Sequence, residues 1–189
     1  MKKLVSKYEE EKKRKRNQII VGIVLAVLMI LSTLGFALQV KPDNSGNTNS
    51  DKLTYNGFDF AYINGLWVVG NFAFKYNPKQ VPDIKSDLKD ATYYQGAPLY
   101  IYSENEEAET EVYVNLGRIA ERVQSACFEG LECPGDLPIK TCKDNFIIIK
   151  ESNNSKIVQE NNCVYIEGQG EDMVRLADQF LFRILKIKE

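Results

Sequence analysis

Asn145 to Gly168, NFIIIKESNNSKIVQENNCVYIEG, reads as three strands separated by two short turns, SNNS and NN. Phe146 to Ile149 are continuously apolar, the mark of a central strand covered by a helix on at least one face. Short turns between successive strands predict a β-meander, with the third strand at its far edge.

The segment that follows, Glu171 to Ile187, carries the cleanest helical periodicity in the chain. Met173, Val174, Ala177, Phe180, Leu181, Ile184 and Leu185 form one apolar stripe. The first turn is acidic and the last holds Arg183, Lys186 and Lys188, matching the helix dipole. Between strand and helix lies Gly168-Gln169-Gly170. The context resembles a phosphate loop, but Glu171 and Asp172 stand at its mouth and the third glycine of a dinucleotide pattern is missing. We read a tight turn.

Working back from the meander, Val112, Leu116, Ile119, Ala120, Val123 and Cys127 recur at intervals of three and four residues and predict a second helix. Thr110 caps its start, and Gly130 and Pro134 end it. Five glutamates in Glu104–Glu111 lack the alternating oxygens and the turn glycine of a calcium loop, so they read as a solvated approach to that helix. Leu99–Ser103 is a short strand, and Lys79–Pro98 a loop with a helical turn near Ile84–Leu88. A right-handed crossover through the helix places Leu99–Ser103 parallel to Phe146–Ile149. The expected fold is α+β: a two-layer domain with one mixed, mostly antiparallel sheet and both helices packed on one face.

Further upstream, LTYNGFDFAYINGLWVVGNFAFKYNP opens the domain with alternating aromatic and β-branched residues. Asn64-Gly65 suits a type I′ hairpin turn, Asn56-Gly57 offers a second turn, and Pro78 closes the run. Trp67, the sole tryptophan, is expected to face the core. This aromatic hairpin, from Tyr55 to Tyr76, is a candidate interaction surface through Tyr55, Phe58, Tyr62, Trp67 and Tyr76.

All four cysteines, Cys127, Cys133, Cys142 and Cys163, lie in the C-terminal domain. An even count on one side points to disulfides in an oxidising compartment. Zinc is disfavoured by the absence of any CxxC pair and of histidine. Of the three pairings open to four cysteines, we favour Cys127 with Cys133, closing a short loop, and Cys142 with Cys163. In a meander the second pair must reach across an intervening strand. The restrained loop between Cys127 and Cys142 is a second candidate surface. Asn153 heads an Asn-Asn-Ser triplet in a turn, a glycosylation acceptor in a host that glycosylates.

Residues 19–38, IIVGIVLAVLMILSTLGFAL, contain no formal charge. At about 1.5 Å per residue they span roughly the 30 Å of a bilayer core as a helix. The run exceeds a signal-peptide core, which favours an uncleaved anchor over cleavage after Ala37. Gly22 and Ala26 make one small-residue pair, read as ordinary lipid-facing positions. Residues 1–18 carry eight Lys/Arg, five of them contiguous from Lys12 to Arg16. Such a basic stub stays cytoplasmic, so the domain at 53–189 is expected outside the cell membrane, joined by a flexible linker at 39–52.

Charge and composition exclude much. Residues 1–52 have ten Lys/Arg against five Asp/Glu, whereas residues 53–189 have fourteen against twenty-one. An acidic domain argues against a nucleic-acid groove. The chain has no histidine, which removes Ser-His-Asp and Cys-His hydrolases, HExxH metalloproteases and histidine-ligated metals. No catalytic residue, metal site or cofactor is assigned.

The ending NCVYIEGQGEDMVRLADQFLFRILKI, with CPGDLPIKTCKDNFIIIK and the N-terminal anchor, resembles uncharacterised exported single-pass membrane proteins of archaea. The resemblance covers mainly the last third to half of the chain and implies no activity, ligand or catalytic residue. The expected function is a membrane-anchored extracytoplasmic interaction or assembly protein with a protein partner at the membrane or cell surface. The alternative is an exported enzyme or small-ligand binder using carboxylates and tyrosines.

Overall fold

The computed structural model describes residues 15–25, 28–29, 51–133 and 135–188, and the chain divides into two units, Met1–Thr48 and Asn49–Glu189. In the first, residues 15–25 form a helix, α1, with exposed side chains. Most of the expected span at 19–38, the stub at 1–14 and most of the linker lie outside the described residues. Among the described residues no helix is long and apolar enough to cross a membrane.

The second unit is α+β. It opens with β1 (Lys52–Tyr55), β2 (Phe58–Ile63), β3 (Leu66–Val69) and β4 (Phe72–Phe74), paired in that order and antiparallel throughout. Both candidate turns are used. Asn56 and Gly57 have φ of 48° and 81°, Asn64 and Gly65 have 52° and 85°, and each pair supplies the two left-handed positions of a tight hairpin. The remaining elements are β5 (Pro98–Ser103), α2 (Glu106–Leu116), β6 (Arg122–Ser125), β7 (Cys127–Phe128), β8 (Ile139–Lys140), β9 (Asn145–Glu151), β10 (Lys156–Glu160), β11 (Cys163–Gly168) and α3 (Asp172–Ile184). A five-stranded sheet has the order β10-β11-β9-β5-β6, and β7 and β8 form a separate two-stranded ribbon.

Several sequence expectations are corrected here. The single sheet is divided, because the first four strands close on themselves before the chain reaches β5. The strands of Asn145–Gly168 are not a meander: β11 lies between β10 and β9, antiparallel to the first and parallel to the second. Burial explains the order. In β11, Cys163, Val164, Ile166 and Gly168 are all buried, which requires an interior position, whereas β10 exposes Lys156, Val158 and Glu160 and suits an edge. The parallel pairing of β5 with β9 is as expected, with Leu99 opposite Asn145.

The helix expected over Val112–Cys127 is displaced toward the N-terminus. Asn105, not Thr110, caps α2, its side-chain oxygen accepting from Ala108 N at 2.9 Å, and Glu106, Glu107 and Glu109 occupy the first turn. The glutamate run is therefore helix rather than approach. The chain leaves the helix at Gly117, and Val123 and Cys127 reach the interior from β6 and β7. An apolar spacing of three and four continued by chance across a loop and into a strand.

The main core joins the inner face of the five-stranded sheet (Leu99, Ile101, Ile147, Ile149, Val164, Ile166) to both helices and to Phe60 and Phe74 of the first sheet. Both helices do lie on one face of the larger sheet, as expected. The first sheet then covers them from the other side, so the unit has three layers instead of two. Phe182 of α3 packs its ring 6.0 Å from that of Phe60 and 4.5 Å from that of Phe74. Asn115 of α2 is fully buried and treats β4 as a neighbouring strand: its Oδ1 accepts from Ala73 N at 3.0 Å and its Nδ2 donates to Ala73 O at 2.8 Å. At the end of β11 a Cβ on Gly168 would meet Leu176 Cδ1 at 2.3 Å, so glycine is what lets α3 approach the sheet.

The opposite face of the sheet carries a second cluster of Tyr100, Ala126, Phe146, Ile148 and Cys163. Phe128, brought in by the Cys127–Cys142 loop, covers it with ring contacts to Phe146 at 5.6 Å and Tyr165 at 6.4 Å. Both expected disulfides form, Cys127–Cys133 and Cys142–Cys163. The second is geometrically simple because β11 sits beside β9: Cys163 pairs with Phe146, and the Cα atoms of Cys142 and Cys163 are 5.0 Å apart.

Candidate binding cleft and its surroundings

A cleft of about 1010 Å³, open to solvent, lies beside the Cys142–Cys163 disulfide. Three segments build it: the stretch at Asp87–Lys89, the approach to β9 at Thr141–Lys143, and the β10–β11 turn with Gln159, Asn161 and Asn162. Asn161 takes a φ of 55°, which turns the chain within two residues and places Asn162 at the centre of the network. Asn162 Oδ1 accepts from Lys89 Nζ at 3.1 Å and from the Tyr93 hydroxyl at 2.6 Å, while its Nδ2 donates to Lys143 O at 3.2 Å. Gln159 Oε1 accepts from Lys89 N at 2.8 Å, and the Lys89 ammonium stands 3.8 Å from the centre of the Tyr93 ring. The wall is thus held by hydrogen bonds before anything binds. It offers two ammonium groups, Lys89 and Lys143, against one carboxylate, Asp87, with amides and a threonine hydroxyl between them. That chemistry suits carboxylate or hydroxyl groups on a partner, and the cleft pairs no nucleophile with a base.

The most perturbed carboxyl groups lie elsewhere. Asp178 of α3 is fully buried, and its Oδ2 accepts from Tyr76 N at 2.8 Å. Its Oδ1 makes no sound hydrogen bond, and the Glu111 carboxyl of α2 is the neighbour able to share a proton with it. Burial first, and Glu111 second, push Asp178 well above the usual carboxylate range; burial also raises Glu111. The proton therefore resides on Asp178 when the unfolded chain has already lost it. Because the native state then binds more protons, Asp178 lowers stability progressively as pH rises above its ordinary value of 3.8 toward its folded value. Asp178→Asn keeps the acceptor for Tyr76 and cannot ionise. Its stability advantage over the wild type should grow in thermal melts as pH rises above about 4. A constant difference across that range would contradict the shared-proton arrangement.

Of the residues singled out in the sequence, only Cys142 lines the large cleft. Tyr55, Phe58, Trp67 and Tyr76 are partly buried against the main core, Tyr76 with the Arg175 guanidinium 4.9 Å from its ring centre. Tyr62 is 40% exposed and stacks on Trp67 with ring centres 5.1 Å apart. Asn153 is exposed in the β9–β10 turn. The residues that sequence reasoning did not find are Lys89, Gln159 and Asn162. Lys89 and Asn162 are 73 positions apart, and no local pattern announces their meeting. Among the described residues no group of three or more Cys, Asp or Glu is placed to hold a metal ion.

Comparison with known proteins yields nothing to place beside this geometry. No family model, curated protein or solved structure matches the chain. The functional reading therefore rests on the site itself.

Proposed function

We propose that the chain is a membrane-anchored extracytoplasmic interaction or assembly protein, tethered through residues 19–38 with its N-terminus cytoplasmic, whose cleft at Lys89, Lys143 and Asn162 receives a protein partner. The observation that carries the reading is the cleft's composition: fixed amides and ammonium groups, without an acid–base pair. Two disulfides in an otherwise ordinary domain agree with an oxidising compartment, and the basic stub beside an uncharged run of twenty residues supports the orientation. The partner's contact surface would present carboxylates or hydroxyls.

The reading is tested on the full chain extracted gently from membranes. A stoichiometric partner should co-purify with the wild type and bind roughly tenfold more weakly to Lys143→Glu, which reverses an exposed charge in the cleft. Equal recovery with both proteins would remove the cleft from the interface. A membrane-impermeant thiol reagent should label intact cells only after reduction, since all four cysteines are paired. Labelling without reductant would refute an oxidised external domain.

An exported enzyme or small-ligand binder is the second reading, and Glu111 with Asp178 is the observation in its favour. Asp178 is fully buried and Glu111 partly buried, and the clefts at Asp87–Asn162, Gln80–Leu176 and Lys85–Arg183 are lined by other side chains. The pair is better explained as a packing feature.

A further inference from the structure

The β2–β3 hairpin ends in an apolar tip that the core does not absorb. Tyr62, Ile63 and Leu66 are 40%, 49% and 38% exposed around the Asn64-Gly65 turn, and the Trp67 ring stacks on Tyr62 behind them. From Phe60 to Phe74 there is no charged residue, in a domain whose acidic groups outnumber its basic ones twenty-one to fourteen. A solvent-facing tip ordinarily carries charge; this one carries two rings with polar edges and two aliphatic side chains, the composition found where protein meets the headgroup region of a bilayer.

The tip's position in the domain adds a second argument. β1 starts beside it: Lys52 pairs with Ala61, and Tyr62 N donates to Asp51 O at 2.9 Å. The chain therefore enters the folded domain next to Tyr62. On the anchoring proposed above, a flexible linker of about twelve residues would have a root-mean-square reach of about 20 Å, which favours contact between the membrane and the end of the domain at which the linker arrives. The tip belongs to that end.

We propose that Tyr62, Ile63, Leu66 and Trp67 dock into the lipid headgroup interface of the membrane that holds the anchor, giving the domain a second contact and a fixed orientation. This rests on the anchoring proposed above. Two weak membrane contacts joined by a short linker reinforce one another, because the second forms at high effective concentration.

Trp67 is the chain's sole tryptophan, so the native protein carries its own probe. The full chain is reconstituted into phosphatidylcholine vesicles with and without lipid brominated near the glycerol end of its acyl chains. Docking predicts a roughly twofold loss of tryptophan emission with the brominated lipid, as for an interfacial indole, and recovery of that emission in Ile63→Asp/Leu66→Asp with an unchanged circular dichroism spectrum. Protein that floats with the vesicles while its emission ignores the brominated lipid overturns the docking and leaves the anchor standing. Protein that fails to float removes the anchor and the docking together.

Discussion

Replacing Phe182 by alanine should lower the unfolding free energy by about 3–5 kcal/mol, as for a large aromatic removed from a site that cannot collapse. The expectation follows from the layered fold. Phe182 is fully buried on the side of α3 that faces away from the five-stranded sheet, and its ring touches both Phe60 and Phe74. It is the main apolar link between the antiparallel sheet and the helices; Asn115 supplies the polar one. Removing it leaves a cavity walled by two aromatic rings on short, hydrogen-bonded strands, which have little freedom to move inward. Urea titration followed by circular dichroism measures the loss, and Tyr113→Ala serves as control, being half exposed and expected within about 0.5 kcal/mol of the wild type. A loss below about 1 kcal/mol for Phe182→Ala would mean that the first sheet is not held as described.

The second large effect belongs to the Cys142–Cys163 disulfide. It closes a loop of sequence separation 21, whereas Cys127–Cys133 closes one of 6. Chain-entropy reasoning assigns about 3 kcal/mol to the longer loop and about 2 to the shorter. Cys142→Ala/Cys163→Ala should therefore cost more than Cys127→Ala/Cys133→Ala in equilibrium denaturation of the oxidised proteins. The difference should widen beyond the loop term, because Cys163 is fully buried in the second cluster and its truncation also leaves a void. Cys142 also lines the cleft, so on the proposed function its loss should weaken partner binding as well as stability. If the shorter loop proved the costlier one to open, strain in the Cys127–Cys142 segment rather than chain entropy would be the governing term.

What could be read from the sequence was what depends on local spacing. The terminal helix, the parallel pairing of Leu99–Ser103 with the Phe146 strand and the short Cys127–Cys133 loop follow from periodicity, connection length and loop closure. Cys142–Cys163, expected to reach across an intervening strand, forms instead because β11 lies beside β9. Asp178 and Gln179 show the limit. In sequence they belong to a polar face, yet both are fully buried, because the chain leaving the first sheet lies over that face, where Tyr76 N donates to Asp178 and Ile84 O accepts from Gln179. Periodicity reports one covered side well; it cannot report a helix covered on two, since the few polar residues that satisfy buried backbone groups look like solvent-facing ones. The same applies to α2, where a run of three-and-four spacing outlasted the helix itself. The cleft was illegible for another reason. Its network depends on Asn162 meeting Lys89 and Tyr93, 73 and 69 positions away, and such meetings follow from the strand order that the turn pattern alone misassigned.

The position of α3 also bears on how the molecule is made. Within the domain α3 follows every strand in chain order, so both sheets are synthesised before the helix layer between them is complete. Until then Phe182 is missing from beside Phe60 and Phe74, and the core that α3 shares with Ile147 and Ile166 is incomplete. The main core is thus completed only when α3 docks. A chain truncated before Asp172 should accumulate as an unfolded, protease-sensitive species rather than as a smaller native one.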